Sequence, residues 1–246
     1  MLRSPKFIAP ILLGLAGVMM AFGMRAPAAK AETPTPPELI LDRCRAEESF
    51  CRKLSDEANS LAQIGMARRK LEVGDRQSAS DYFYRASQSK NLYALAWLVG
   101  NVEVQSQKLY YAQEIGRSGQ LPTILPFMVR SGFLPSAGGD SLTVRSLNPP
   151  RVYTECLKGI PYCRVALGED PDLGHVLLGQ ALEQQGNLPE AEYEYRQSKA
   201  PYALWRLSQL ATDSKLSDFE KLTQKKQYEA AFRQSPNWLA LLPFVQ

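Results

Sequence analysis

Residues 178–198 read LGQALEQQGNLPEAEYEYRQS. Two helices joined by a tight turn account for this stretch. Gly186-Asn187 supplies the turn, because glycine tolerates the positive φ at the end of the first helix. Pro189 suits the first turn of the second helix, where its missing N–H is not needed. Small residues, Gly179 and Ala191, stand where two antiparallel helices cross closely. Leu178, Leu182 and Tyr195 fill the space between them. A helical hairpin is predicted, and its apolar face needs a neighbour to cover it.

The same landmarks occur upstream. Ile64-Gly65, Gly74-Asp75, Ser78-Ala79 and Tyr82-Phe83-Tyr84-Arg85-Ala86 follow in order, with the glycine spacing two residues longer. Tyr93-Ala94-Leu95 is matched by Tyr202-Ala203-Leu204, and Leu125-Pro126-Phe127 by Leu242-Pro243-Phe244. Cys44 and Cys51 are seven apart, as are Cys156 and Cys163. The offset is 112 from Cys44 to Cys156 and from Gly74 to Gly186, 109 from Tyr93 to Tyr202, and 117 from Pro126 to Pro243. Duplication is the simplest reading. It divides the chain into a first half, 38–135, a linker, 136–150, and a second half, 151–246. Strand signals are poor, with only Ser141 to Arg145 alternating at all. The expected fold is all-α, a short α-solenoid of ten to twelve helices in antiparallel pairs.

The stretch Leu178 to Leu204 resembles the tetratricopeptide repeat, with Leu-Gly, a large residue three on, then Gly, Ala, an aromatic and a small residue at similar intervals. The first copy, with Tyr82-Phe83-x-x-Ala86 and a short turn to the next Ala-rich helix, is similar to the Sel-one-like branch of that superfamily. The resemblance implies a groove lined by the first helix of each pair, holding a protein or peptide. Its candidate contacts are Met66, Arg69 and Trp97 in the first copy and Gln180, Glu183, Arg206 and Gln209 in the second.

Residues 1–31 read as a secretory signal. Arg3 and Lys6 precede an apolar run from Phe7 to Met24, and Ala29-Lys30-Ala31 supplies the small residues a signal peptidase needs. The alternative is an uncleaved N-terminal anchor, for which the run is borderline in length. Residues 32–37, with Pro34, Pro36 and Pro37, read as a Pro-rich extended leader. The whole chain has 29 Lys and Arg against 25 Asp and Glu. Arg3, Lys6, Arg25 and Lys30 lie in the signal, which has no acid, so the remainder balances. The basic pI is therefore no nucleic-acid footprint, and no nucleic-acid partner is expected. No membrane contact is expected beyond the signal segment, although peripheral association stays open.

Export places four cysteines in an oxidising compartment, where disulfides form. Three connectivities are possible, and the repeated spacing favours Cys44–Cys51 and Cys156–Cys163. Residues seven apart in a straight helix are separated by about 10.5 Å along the axis, whereas a disulfide needs Cα atoms within about 7 Å. The helix must therefore break inside each loop, at Gly159-Ile160-Pro161 in the second copy and near Ala46 to Ser49 in the first. A zinc site or a redox-active dithiol would use closer spacings.

The catalytic inventory is thin. His175 is the one histidine, and it reads as a repeat-packing or exposed helix position because no nucleophile partner is evident. Glu169-Asp170-x-Asp172 suits a helix N-terminus. Neither a glycine-rich phosphate loop nor a metal-ligand pattern is present, so no catalytic residue, metal or cofactor is assigned. Of the many aromatics, most are expected in the core. The resulting expectation is an exported, non-enzymatic interaction scaffold or assembly factor located in the periplasm, a lumen or the extracellular space. The rivals are a secreted cell-wall-active hydrolase using His175 and a membrane-anchored assembly factor. N-terminal sequencing of the mature protein should return Glu32 as the first residue, and non-reducing peptide mapping should return 44–51 and 156–163. A start at Met1 would establish the anchor, and cross-pairing would defeat the idea of two separately stapled copies.

Overall fold

The chain is described by a computed structural model over residues 35–134, 142–210 and 216–246. The signal at 1–31, residues 32–34 of the leader and 136–141 of the linker lie outside the described residues. Fifteen helices and no strands are found among the described residues. The first half runs α1 (Pro37–Ala46), α2 (Glu48–Asp56), α3 (Ser60–Glu72), α4 (Arg76–Gln88), α5 (Leu92–Asn101), α6 (Gln105–Arg117) and α7 (Leu121–Arg130). After α8 (Leu142–Leu147), the second half repeats the series as α9 (Arg151–Cys156), α10 (Ile160–Ala166), α11 (Pro171–Gln184), α12 (Leu188–Arg196), α13 (Pro201–Gln209), α14 (Asp218–Gln234) and α15 (Trp238–Val245). Successive helices pack in pairs, α3 on α4 and α11 on α12 most extensively. This is an all-α helical-repeat arrangement, with more helices than the ten to twelve expected, the short α8 among them.

The breaks fall where the disulfides require them. α1 stops at Ala46, Glu47 adopts an extended φ of −132° and ψ of 102°, and α2 begins at once. In the second half Gly159 takes a φ of +125°, a conformation favouring glycine, and Pro161 opens the first turn of α10. The paired Cα atoms are thereby brought to 4.7 Å for Cys44–Cys51 and 4.0 Å for Cys156–Cys163.

The linker is not wholly irregular. Residues 142–147, where the sequence hinted at alternation, form α8 instead. Val144 and Leu147 are both buried, a spacing of three that belongs to a helix face and not to a strand. α8 packs on α6 closely enough that a Cβ at Gly116 would lie 2.7 Å from the Leu147 carbonyl oxygen. The leader is also shorter than expected, since Pro37 is already the first residue of α1.

Structure corrects the register of the duplication. Gly65 is not the counterpart of Gly179. Gly65 lies against the first disulfide, where a Cβ would come within 2.7 Å of Cys44 Cβ and 2.9 Å of both sulfurs. Gly179 lies against a ring, where a Cβ would come 2.6 Å from Tyr195 Cε1. At the cysteine offset of 112, the counterpart of Gly179 is Ala67, which explains the longer glycine spacing. The same offset pairs Ala79 with Ala191 and Phe83 with Tyr195, all fully buried. It also pairs the turn glycines, Gly74 at φ +78° and Gly186 at φ +79°. The next residues, Asp75 and Asn187, both cap a helix by accepting a backbone N–H, from Ser78 at 3.1 Å and from Glu190 at 3.4 Å.

The two halves are not independent bodies, because residues 35–246 form one unit and the main core cluster runs through both. The helices carrying Leu-Pro-Phe explain this. α7, from the first half, packs on α11 and α13 of the second, while α15, from the second half, packs on α1 and α5 of the first. Phe127 meets Tyr202 edge-on at 4.9 Å, and Phe244 meets Tyr93 edge-on at 4.9 Å. Phe127 and Phe244 meet each other at 5.7 Å. Their polar contacts also correspond. Gln180 donates to the Pro126 carbonyl at 2.8 Å, and Arg68, its counterpart at the offset of 112, donates to the Pro243 carbonyl. Replacing Phe127 by Ala should lower stability by about 3–5 kcal/mol, and both halves should still unfold in one urea transition. Two separate transitions in the native protein would contradict the reciprocal packing.

Candidate functional site

The resemblance implied an open groove along the first helices of the repeat. The reciprocal helices occupy much of that space. Met66 is almost fully buried beneath the first disulfide with Ile40, Cys44, Cys51 and Ala62, so it does not line a groove. Trp97 is buried and stacks on Phe83, with ring centroids 4.3 Å apart and planes 23° apart. Both residues are therefore core members and not surface contacts. Gln180 is buried beneath α7, where it holds the Pro126 carbonyl. Gln209 is exposed, and its amide donates to the Ser208 hydroxyl at 3.2 Å.

Glu183 and Arg206 come together. The Arg206 guanidinium donates through Nε to both Glu183 oxygens, at 3.1 and 2.9 Å, and through its terminal nitrogen at 2.5 Å. The two side chains are only 16% and 13% exposed. Tyr195 donates its hydroxyl to the same carboxylate at 3.0 Å, and Arg130 of α7 approaches it at 3.3 Å. Burial pushes the Glu183 carboxyl up, but Arg206, Tyr195 and Arg130 outweigh burial and hold it below the ordinary carboxylate range. Burial, followed by the nearby Tyr202 and Glu183, pushes the Tyr195 hydroxyl far up, so Tyr195 stays protonated and serves as a donor. The matched positions in the first half, at the local offsets, are Leu71, Phe83 and Trp97. One half closes this junction with a charged, hydrogen-bonded cluster and the other with apolar side chains.

Arg69 has a structural task. Its guanidinium donates to the carbonyls of Cys44 at 3.4 Å and Arg45 at 3.0 Å and pairs with Glu48 at 3.1 Å. It thereby ties down the corner between α1 and α2, which lacks the glycine and proline that shape the second corner. Its counterpart there is Ala181.

Arg69 also lines a small recess, open to solvent, together with Leu41, Arg45, Gly65, Arg68 and Glu72. A second small recess is lined by Val129, Tyr153, Cys156, Leu157, Leu177, Gln180, Ala181 and Gln184. Each of the six first-half residues is 112 positions before one of these eight. The two recesses are the same place in the duplicated unit. Their chemistry differs, since Arg45, Arg68, Arg69 and Glu72 stand where the second half has Leu157, Gln180, Ala181 and Gln184. Sequence reading singled out Arg69 and Gln180 but missed Arg45, Arg68 and Glu72. That Glu72 lies four residues after Arg68 and three after Arg69 was visible, but not their convergence with α1.

His175 Nδ1 lies 2.7 Å from the Glu194 carboxylate, between α11 and α12. The nearby Ser198 hydroxyl donates to the Asp172 carbonyl at 2.9 Å and not to the imidazole. Asp170 caps α11 by accepting the Leu173 N–H at 3.1 Å. Among the described residues there is no group of three or more His, Cys, Asp or Glu side chains placed to hold a metal ion, and no helix long and apolar enough to cross a membrane. Both disulfides fit an oxidising compartment.

Comparison with family models, with curated proteins and with solved structures finds no match.

Glu183 gives a pH prediction. Its folded-state pKa lies below the unfolded value, so its stabilisation is full above the ordinary carboxylate pKa and is lost as pH falls through the lowered folded value. Glu183→Gln should cost about 3 kcal/mol at neutral pH by leaving Arg206 without its carboxylate. It should also flatten the acid limb of a plot of urea stability against pH. An unchanged acid limb would show that the cluster is not the source.

Proposed function

We propose that this chain is an exported, disulfide-stapled scaffold of the tetratricopeptide and Sel-one-like kind, acting in the periplasm, a lumen or outside the cell. It is not an enzyme, and it works by holding a protein or peptide partner. The observation that carries this reading is the pair of register-matched recesses. Both preserve the same backbone setting, yet one is lined by three arginines and the other by neutral side chains. Arg69 ties down the α1–α2 corner, but Arg45 has no such task and a neutral amide makes the matching carbonyl contact of Arg68 in the other half, so recognition accounts for this charge where folding does not. The disulfides and the signal-like N-terminus support export.

Partner contacts on this reading fall on the face where α1 and α3 meet α15, not in a long open groove, because α7 and α15 already cover the first helices. A hydrolase centred on His175 has less support, since among the described residues no hydroxyl or thiol is hydrogen-bonded to the imidazole.

Cross-linking in the native envelope tests this reading. The expected result is one predominant protein partner, joined near stoichiometrically through α1 or α3 and captured equally well by His175→Ala. A scatter of trace species, or a hydrolase activity that His175→Ala abolishes, would overturn it.

A further inference from the structure

Three arginines meet in the first-half recess, and the question is why. Arg68 grips the Pro243 carbonyl and lies over the Tyr93 ring, 5.0 Å from its centroid. Gln180 makes the corresponding carbonyl contact with a neutral amide, so that contact does not need a charge. Arg45 is exposed, and among the described residues it donates to the Gln246 backbone oxygen at 3.5 Å. Leu157 stands in its place in the other half. Arg69 is partly neutralised by Glu48, but it reaches that residue and two carbonyls with its terminal nitrogens only. Each guanidinium has five N–H donors. Among the described residues the three together make five hydrogen bonds, fewer than their combined donors.

We propose that this recess binds a carboxylate, and that the carboxylate belongs to an acidic side chain of the peptide or protein partner. The inference rests on the scaffold reading and gives the partner its chemistry. Paired Arg–carboxylate hydrogen bonds are charge-assisted and are favoured by the planar fork of the guanidinium. Glu72 on the same lining and Glu48 beside Arg69 reduce the formal charge of the group to +1, which suits a singly charged carboxylate better than a phosphate dianion. Glu72 also offers an acceptor for a backbone N–H of an incoming peptide. The recess is small and open to solvent, so it can meet the terminus of a side chain at its mouth but cannot enclose a cofactor. The second-half recess, with no charged residue among its matched positions, supplies an internal reference for the same shape without the charge.

The test uses the purified, oxidised full chain in an amide NMR titration. The probes are N-acetyl-Ala-Glu-Glu-Ala-amide, its Gln-Gln counterpart and sodium succinate. Saturable shifts at Gly65, Arg68 and Arg69 are expected with the acidic peptide and not with the Gln-Gln peptide, and affinity should fall as salt rises. Arg45→Leu, which installs the second-half residue at an exposed position, should weaken binding about tenfold or more, as expected for losing a charge-assisted hydrogen bond. Arg117→Gln, a control on the exposed face of α6, should leave it unchanged. Arg68→Gln should weaken binding with the fold intact, as judged by unchanged circular dichroism. Shifts with succinate alone would support the carboxylate site while counting against a peptide source. No saturable shift with either acidic probe, or equal binding by Arg45→Leu, would overturn the site. The scaffold reading would then survive only if cross-links mapped to another surface.

Discussion

The exchange of the two Leu-Pro-Phe helices is the constraint on which the rest of the molecule depends. A helical hairpin leaves one apolar face uncovered, and in an extended repeat array the next hairpin covers it. Here α7 covers the inner face of the second half and α15 that of the first. Phe127 and Phe244 meet at the centre, each also packed on the other half's tyrosine. Burial of such a ring contributes about 1.5–3 kcal/mol, and each aromatic pair adds about 0.5–1.5 kcal/mol. Neither half can retain these contacts alone. The duplication therefore closes on itself, and the groove implied by the repeat resemblance is largely filled by the chain's own helices.

Within this approximate symmetry the two halves solve the same problems differently. The junction built from Leu71, Phe83 and Trp97 in one half is built from Glu183, Tyr195 and Arg206 in the other. An apolar cluster is stabilised by excluding water. A charged cluster must first overcome the cost of desolvation and does so only when every oxygen and nitrogen is well placed. Glu183 meets that condition by accepting from two arginines and a tyrosine. The staples show the same principle. One corner is shaped by Gly159 and Pro161, and the other by an extended Glu47 held in place through Arg69 and Glu48.

Much of this was legible in particular residues. Gly186-Asn187-Leu188-Pro189 marked a helix, a turn and a new helix, because each residue has a local reason to stand there. The cysteine spacing required a helix break, which geometry alone demands. Gly65 shows where such reading fails. Next to Ile64 it looked like the repeat glycine, but its small size is needed by the disulfide, a neighbour more than a dozen residues away. Met66 and Trp97 were misplaced for a related reason. Their position on the first helix of a pair suggested a groove, but the stapled α1–α2 corner covers Met66 and Phe83 of the preceding helix covers Trp97. α8 was hidden because six residues give too little periodicity to separate a helix from a strand.

Local rules written in the sequence determined the helices, their turns, the two staples and the order of the duplicated parts. Dihedral preferences, caps and covalent reach act within about ten residues. Tertiary structure alone decided which half covers which, the true register of the copies, and the convergence of Arg45, Arg68 and Arg69 on one recess. These outcomes depend on contacts between residues far apart in the chain, where burial and close packing select among helix arrangements that the local pattern leaves equivalent.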